Sequence, residues 1–243
     1  MTTTSFETGI RILDEEASML DPGQLILLKG RPGAGKTNLL AGLISRAAKS
    51  GSVLVNNVEM TPNQFLPFLL AAEGQFSRYS ITHSWTMTPK EQDEVNEALS
   101  RLGAAPIHFM RTFDLAVLEA SIIETKPHLV VIDYLNLFTH PSDWKGTRAG
   151  YLVHVTKELA QMSRTHKTSI IVAESQNRTG ADSTSNAASG TEESADQVWI
   201  LTRHDSRHTL ELGKNRGGPS HLSQEITLDE KTGTFRDPVE LPA

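Results

Sequence analysis

Short, wholly apolar runs alternate along this chain with longer segments in which apolar and polar positions mix. Gln24-Leu25-Ile26-Leu27-Leu28-Lys29 predicts a buried strand, and Thr37 to Ile44 predicts an apolar helix leaving it. Val53-Leu54-Val55 predicts the next strand, ending at Asn57-Val58-Glu59. A helix follows from Thr61 to Ala72, with Thr61-Pro62 as N-cap and first-turn proline. Pro89 to Leu102 reads as a helix rich in exposed acids, Pro106 to Phe109 as a short strand, and Asp114 as the cap of a helix running towards Thr125. Leu129-Val130-Val131-Ile132 is a strand that delivers Asp133 at its end. A loop holding Pro141, Asp143, Lys145 and Gly146 leads to a helix from about Gly150 to Arg164, and Ser169 to Ala173 is a further strand. Such alternation is the signature of an α/β fold, a mostly parallel sheet flanked by helices. Gln197 to Thr202, His208 to Leu212 and Leu222 to Leu228 read as antiparallel strands at the C-terminal end, with turns at Gly217-Gly218 and Lys231-Thr232-Gly233. Thr179 to Gly190 has neither periodicity nor bulk and reads as a long mobile loop, a kind that is usually functional or disordered.

The junction between the first strand and its helix carries the strongest chemistry. Gly30-Arg31-Pro32-Gly33-Ala34-Gly35-Lys36-Thr37 fits G-x-x-x-x-G-K-[ST], and it lies between a strand and a helix as that motif requires. The glycines let several backbone N–H groups face one anion, and the helix N-terminus that opens at Thr37-Asn38 adds partial positive charge. The motif assigns Lys36 to the β- and γ-phosphates of a nucleotide and the Thr37 hydroxyl to Mg²⁺. Phosphoryl transfer then needs further carboxylates and cations. Asp133 is placed at the C-terminal edge of the sheet, where open α/β sheets bind ligands, and suits a second metal-site residue. Glu59 also ends a strand and can take a proton from an attacking water. The Gln176 amide, after the strand from Ser169, can donate to a phosphate oxygen and accept from water. Lys214 and Arg216, two apart on a strand, send both cations to one face and can supply charge to a γ-phosphate, in their own subunit or a neighbouring one.

Composition narrows the setting. At 243 residues, 38% hydrophobic and 21% charged, the chain has the make-up of an ordinary globular protein, and one domain is the economical reading. It contains no cysteine, which removes disulfides and thiolate metal sites and suits a reducing, cytoplasmic setting. Neither a signal peptide nor a bilayer-spanning stretch is expected. A formal charge of −6 argues against a general nucleic-acid coat but leaves room for a local basic strip. His204 and His208 fall in strand-like sequence and lack a third ligand, so no zinc site is expected. Trp85, Trp144 and Trp199 read as core or interface packing.

In order along the chain, these motifs resemble the ATPase domain of the DnaB-type replicative DNA helicases, a RecA-like P-loop core. Thr8-Gly9-Ile10, Leu13-Asp14 and Leu20-Asp21-Pro22-Gly23 are similar to the lead-in of that family, and Gly30 to Thr37 to its Walker A loop. Val58-Glu59-Met60 resembles the motif of its catalytic base, Val131 to Leu137 its Walker B strand, and Ser175-Gln176-Asn177-Arg178 its sensor. Ser189 to Glu192 with Ala195-Asp196, and Lys214 to Pro219, resemble its last two segments. The resemblance implies ATP and Mg²⁺ as ligands, a ring-shaped homo-oligomer, usually a hexamer, with ATP between subunits, and single-stranded DNA in the central channel. It implies that Lys214 and Arg216 reach the nucleotide of the adjacent subunit, that Arg203 lies near the adenine, and that Lys145, Arg148 and Arg178 contact DNA phosphates. A primase or a loader would be a further partner. The chain starts almost at the ATPase core, so an N-terminal helical domain is not expected in it, and Thr179 to Gly190 holds no basic residue. Asn136 stands where glutamine is more usual. Two alternatives stay open: a recombination- or clock-type RecA-fold ATPase, and a loading adaptor that uses nucleotide only as a switch.

Overall fold

A computed structural model describes residues 6–17, 22–74, 76–176 and 190–238. Alternation within the apolar strands decides the layering. The strands are β1 (Leu25–Gly30), β2 (Val53–Asn57), β3 (Ile107–Met110), β4 (Leu129–Asp133), β5 (Ser169–Ser175), β6 (Gln197–His204), β7 (Arg207–Asn215), β8 (Leu222–Leu228) and β9 (Phe235–Arg236). Helices are α1 (Arg11–Glu15), α2 (Lys36–Ala47), α3 (Pro62–Gly74), α4 (Arg78–Thr82), α5 (Pro89–Ala104), α6 (Leu115–Thr125), α7 (Arg148–His166) and α8 (Thr191–Ser194). Ile26, Leu28, Val53, Val55, Leu129, Val131, Ile171 and Ala173 join a core under α2 and α3, which contribute Leu40, Leu43, Ile44, Phe65 and Leu69. The residues between them, among them Leu27, Leu54, Val130, Ile132, Ile170 and Val172, join a second core with Leu118 of α6 and Val155 and Leu159 of α7. With helices on both faces, the central strands can be apolar at every position.

The sheet runs β3-β2-β4-β5-β1-β6-β7-β8-β9. It is parallel from β3 to β6 and antiparallel from β6 to β9. Strand β6 is the joint: it pairs parallel with β1 on one side and antiparallel with β7 on the other, across a register shift at Val198/Trp199. The RecA-like arrangement thus puts the ends of β1, β2, β4 and β5 on one edge.

Local chemistry explains most boundaries. The Asp114 carboxylate accepts from the N–H groups of Ala116 and Val117 and starts α6. Thr88 and Glu91 form a reciprocal capping box at the start of α5. Thr147 accepts from the Gly150 N–H at 3.0 Å, so α7 begins at Arg148, two residues earlier than the apolar pattern suggested. At its other end Lys167 takes the left-handed conformation and lets the helix run to His166.

Several short elements were not expected. The Ser77 hydroxyl caps α4, and a 3-10 turn covers Ser84–Thr86, in a stretch without clear periodicity. Helix α8 and strand β9 are also too short for a pattern to reveal. Trp199 is fully buried and Trp144 packs against Tyr151 and His154, but Trp85 is 78% exposed and has no place in the core. His204 and His208 lie on β6 and β7, with His208 buried edge-on to Phe235, and no cluster of metal-ligating side chains is found among the described residues. No helix among the described residues is long and apolar enough to cross a membrane. The expected loop at 179–190 lies, except for Gly190, outside the described residues, as does Arg178.

Candidate nucleotide-binding site

At the end of β1 the backbone must turn sharply beneath its neighbours. Gly30 leaves no room for a side chain, since a Cβ there would lie 2.6 Å from the Leu201 carbonyl oxygen. Gly35 has φ +96° and caps α2, a conformation glycine adopts without the strain an L side chain would bring. The loop so formed opens onto a cleft of about 470 Å³. Pro32, Gly33, Gly35, Lys36, Thr37 and Asn38 line one wall, and Glu59, Asp133, Tyr134 and Ser175 come from the ends of β2, β4 and β5. The far wall is built from Phe68, Arg78, Arg203 and the turn between β8 and β9.

The charged groups of the cleft perturb one another. Lys36 donates to the carbonyl oxygens of Gly30 and Arg31 at 2.7 and 3.2 Å, which folds the side chain back over its own loop. Burial lowers its pKa, partly offset by Asp133 and Glu59. Asp133 is only 2% exposed. Burial and then the nearby Glu59 raise its pKa to about 6, while the Thr37 hydrogen bond and Lys36 pull the other way. Thr37 Oγ1 donates to Asp133 Oδ2 at 3.1 Å. A hydroxyl and a buried carboxylate thus converge at the helix N-terminus, the hard oxygen donors that suit a small divalent cation. Glu59 is exposed on the rim, and its N–H lies 3.4 Å from the Asp133 carbonyl oxygen, which ties the end of β2 to the end of β4.

Not every expected residue reaches this cleft. Ala34 is buried beneath the loop, and Arg31 is exposed outside it. Gln176 is half-buried and docks its N–H on the Gly30 carbonyl at 3.2 Å, which sets the end of β5 beside the loop. Arg203 lines the cleft, with Nε donating to the Asp205 carbonyl at 2.9 Å. Lys214 and Arg216 do share a face, but they reach α8 rather than the cleft. Lys214 Nζ donates to the Glu192 carbonyl at 2.6 Å, and Arg216 pairs with Asp196 at 3.1 Å and donates to the Glu193 carbonyl. Lys145 and Arg148 are exposed, and Arg148 donates to the Asn136 carbonyl. Asn136 Oδ1 accepts from the Ser175 N–H at 2.8 Å, so this amide joins the loop after β4 to the end of β5.

Two groups escaped the sequence reading. Phe68, Arg78, Leu228, Asp229 and Glu230 line the cleft, though no local motif marks them. Lys29 is 4% exposed, donates to Glu192 and lies 3.8 Å from Glu174. A lysine inside an otherwise apolar strand was the available signal, because a buried ammonium requires a partner.

A loop-and-helix phosphate cradle, a buried carboxylate beside its threonine and a RecA-like sheet define a P-loop nucleotide-binding protein. The model of the family described as "DnaB-like helicase C terminal domain" matches residues 5–237. The chain belongs to this family, which implies nucleotide binding. The replicative DNA helicase DnaB of Mycoplasma genitalium is 28% identical over 250 residues, covering 89% of this chain and 53% of that protein. The chain therefore spans about half the length of the curated relatives it matches. A solved DnaB-like replicative helicase, described with its interactions with primase, superposes with TM-score 0.85 at 17% identity, over 96% of this chain and 62% of that one. The RadB recombinase superposes with TM-score 0.62 at 18% identity, over 97% of this chain and all of that one. At such identities both structures speak to the fold alone.

Proposed function

We propose that this chain is the ATP-hydrolysing motor of a DnaB-like helicase, translocating on single-stranded DNA as a ring-shaped homo-oligomer. The observation that carries this reading is the convergence of Lys36, Thr37, Asp133 and Glu59 on one cleft. Thr37 and Asp133 would hold Mg²⁺, which supplies charge neutralisation at the β- and γ-phosphate oxygens when bound. Lys36 exchanges its carbonyl partners for phosphate oxygens. Glu59, exposed on the rim, orients the attacking water and takes its proton. Gln176 stands beside the loop as a sensor of the γ-phosphate, and Arg203 packs near the base. Lys214 and Arg216 act on the nucleotide of a neighbouring subunit, since they are held at Glu192 and Asp196 and do not line the cleft of their own. Lys145 and Arg148 meet DNA phosphates in the central channel, together with Arg178, and primase or a loader is the partner class.

ATP turnover measured with and without single-stranded DNA tests this. Turnover should rise with DNA, vanish in Lys36→Ala, and fall by at least about a hundredfold in Glu59→Gln while nucleotide binding persists. Unchanged turnover in either variant contradicts the assignment. A recombination-type ATPase is the second reading, since the RadB recombinase shares this fold over all of its length. Electron microscopy with an ATP analogue and DNA separates the two: closed rings support the motor, and open helical filaments the recombinase.

A further inference from the structure

One cation in the cleft carries a buried donor that meets no acceptor among the described residues. Arg78 opens α4, and its N–H lies 3.3 Å from the Lys231 carbonyl oxygen, which joins α4 to the turn after β8. Its guanidinium lies over the Phe68 ring, 4.3 Å from the centroid, and a stacked guanidinium is held flat with its fork of donors fixed. Nη1 is buried and has no hydrogen-bond partner among the described residues. An orphaned charged donor is costly, and where it faces a cleft an incoming anion, water or ligand oxygen can complete it.

Position says which part of the ligand does so. The turn that carries Gly233 lies against Arg78, since a Cβ on Gly233 would be 3.8 Å from Nη1. The same turn accepts from Asn38 Nδ2 at 2.6 Å through the Gly233 carbonyl. Asn38 directly follows the Thr37 hydroxyl that faces Asp133. Arg78 therefore lies against the turn that meets Asn38, the next residue along α2 from Thr37, and lines the same cleft as Arg203. An anionic oxygen is the acceptor a guanidinium binds best.

We propose that Arg78 is a nucleotide-binding residue whose buried Nη1 donates to an α-phosphate oxygen, so that it holds di- and triphosphates alike. This rests on the nucleotide reading above. The Asp229 carboxylate on the same wall is already engaged, with Oδ1 accepting from the Lys231 and Thr232 N–H groups and Oδ2 3.5 Å from Arg236, so it does not neutralise the site.

Calorimetric titration of the whole chain with ADP and with a non-hydrolysable ATP analogue, both with Mg²⁺, tests the proposal. Arg78→Met keeps the bulk over Phe68 and removes the donors. It should weaken both nucleotides by the same factor, roughly tenfold to a hundredfold. The factor should persist with 2′-deoxy-ADP. The melting temperature without nucleotide should change little, because the lost stacking on Phe68 is offset by removal of an unpaired donor, while the rise on adding ADP shrinks; a merely structural arginine would lower the unliganded value and leave the rise unchanged. Wild-type affinity in Arg78→Met, alongside lost binding in Lys36→Ala, overturns the role of Arg78 and leaves the cleft assignment standing. A factor that disappears with the deoxy-sugar overturns the phosphate contact. Absence of binding by the wild-type chain overturns the nucleotide reading and this inference with it.

Discussion

Asp133→Asn in the metal-free, nucleotide-free protein should raise stability at neutral pH. The carboxylate is buried at the end of β4, close to Glu59, and accepts a hydrogen bond from Thr37 at 3.1 Å. A rise in pKa from 3.8 to about 6 means that the folded state binds a proton more tightly than the unfolded chain does. The cost of ionising it in the fold is about 3 kcal/mol, fully present above pH 6. As pH falls from about 6 towards 3.8 the folded group takes up its proton first, so this cost is progressively relieved. An asparagine amide in its place would carry no charge at any pH and still accept from Thr37. Urea denaturation in EDTA at pH 8 and at pH 4 measures the difference between the two proteins. The asparagine variant should be more stable by about 2–3 kcal/mol at pH 8 and by less than about 1 kcal/mol at pH 4. The gain at pH 8 should disappear with Mg²⁺ and ATP analogue, which stabilise the wild type through the carboxylate. A variant equally or less stable at pH 8 in EDTA would refute the reasoning, because the carboxylate would then not be strained in the empty site.

Other perturbations probe the surroundings. Lys29→Met leaves Glu174 and Glu192 without their shared ammonium, and should cost about 3–5 kcal/mol in the same denaturation assay, with Glu174→Gln in that background recovering part of the loss. In Gly35→Ala the new Cβ meets Phe235 at 2.9 Å and the residue must keep φ +96°, so titration should show nucleotide affinity at least about tenfold weaker. Arg216→Ala should bind nucleotide as the wild type does yet lose at least about a hundredfold in turnover, as expected of a cation acting on a neighbour's γ-phosphate.

What could be read from the chain, and what could not, follows from how far each interaction reaches. The phosphate loop is contiguous, so its glycines, Lys36 and Thr37 announce themselves within eight positions. Asp133 was visible because four apolar residues fix where a strand ends, and Lys214 and Arg216 because strand geometry alone puts them on one face. Their partners in α8 were not visible, since a four-residue helix has no period. Phe68, Arg78 and Gly233 meet only when α3, α4 and the turn after β8 fold against each other, over a separation no local pattern encodes. Lys29 faces Glu174 across the β1–β5 register, a pairing that depends on β5 being the neighbour of β1 despite the length of chain between them. Likewise β6 could be recognised as a strand, but its parallel pairing with β1 comes from the sheet as a whole.

A structure of the protein assembled with a non-hydrolysable ATP analogue, Mg²⁺ and single-stranded DNA tests the central claim most directly. The account predicts a triphosphate gripped by Lys36 of one protomer, a cation between Thr37 and Asp133, and the Lys214–Arg216 pair of the next protomer released from α8 and turned to the γ-phosphate. An empty cleft, or a filled one in an assembly where both cations still lie on their own α8, would contradict it.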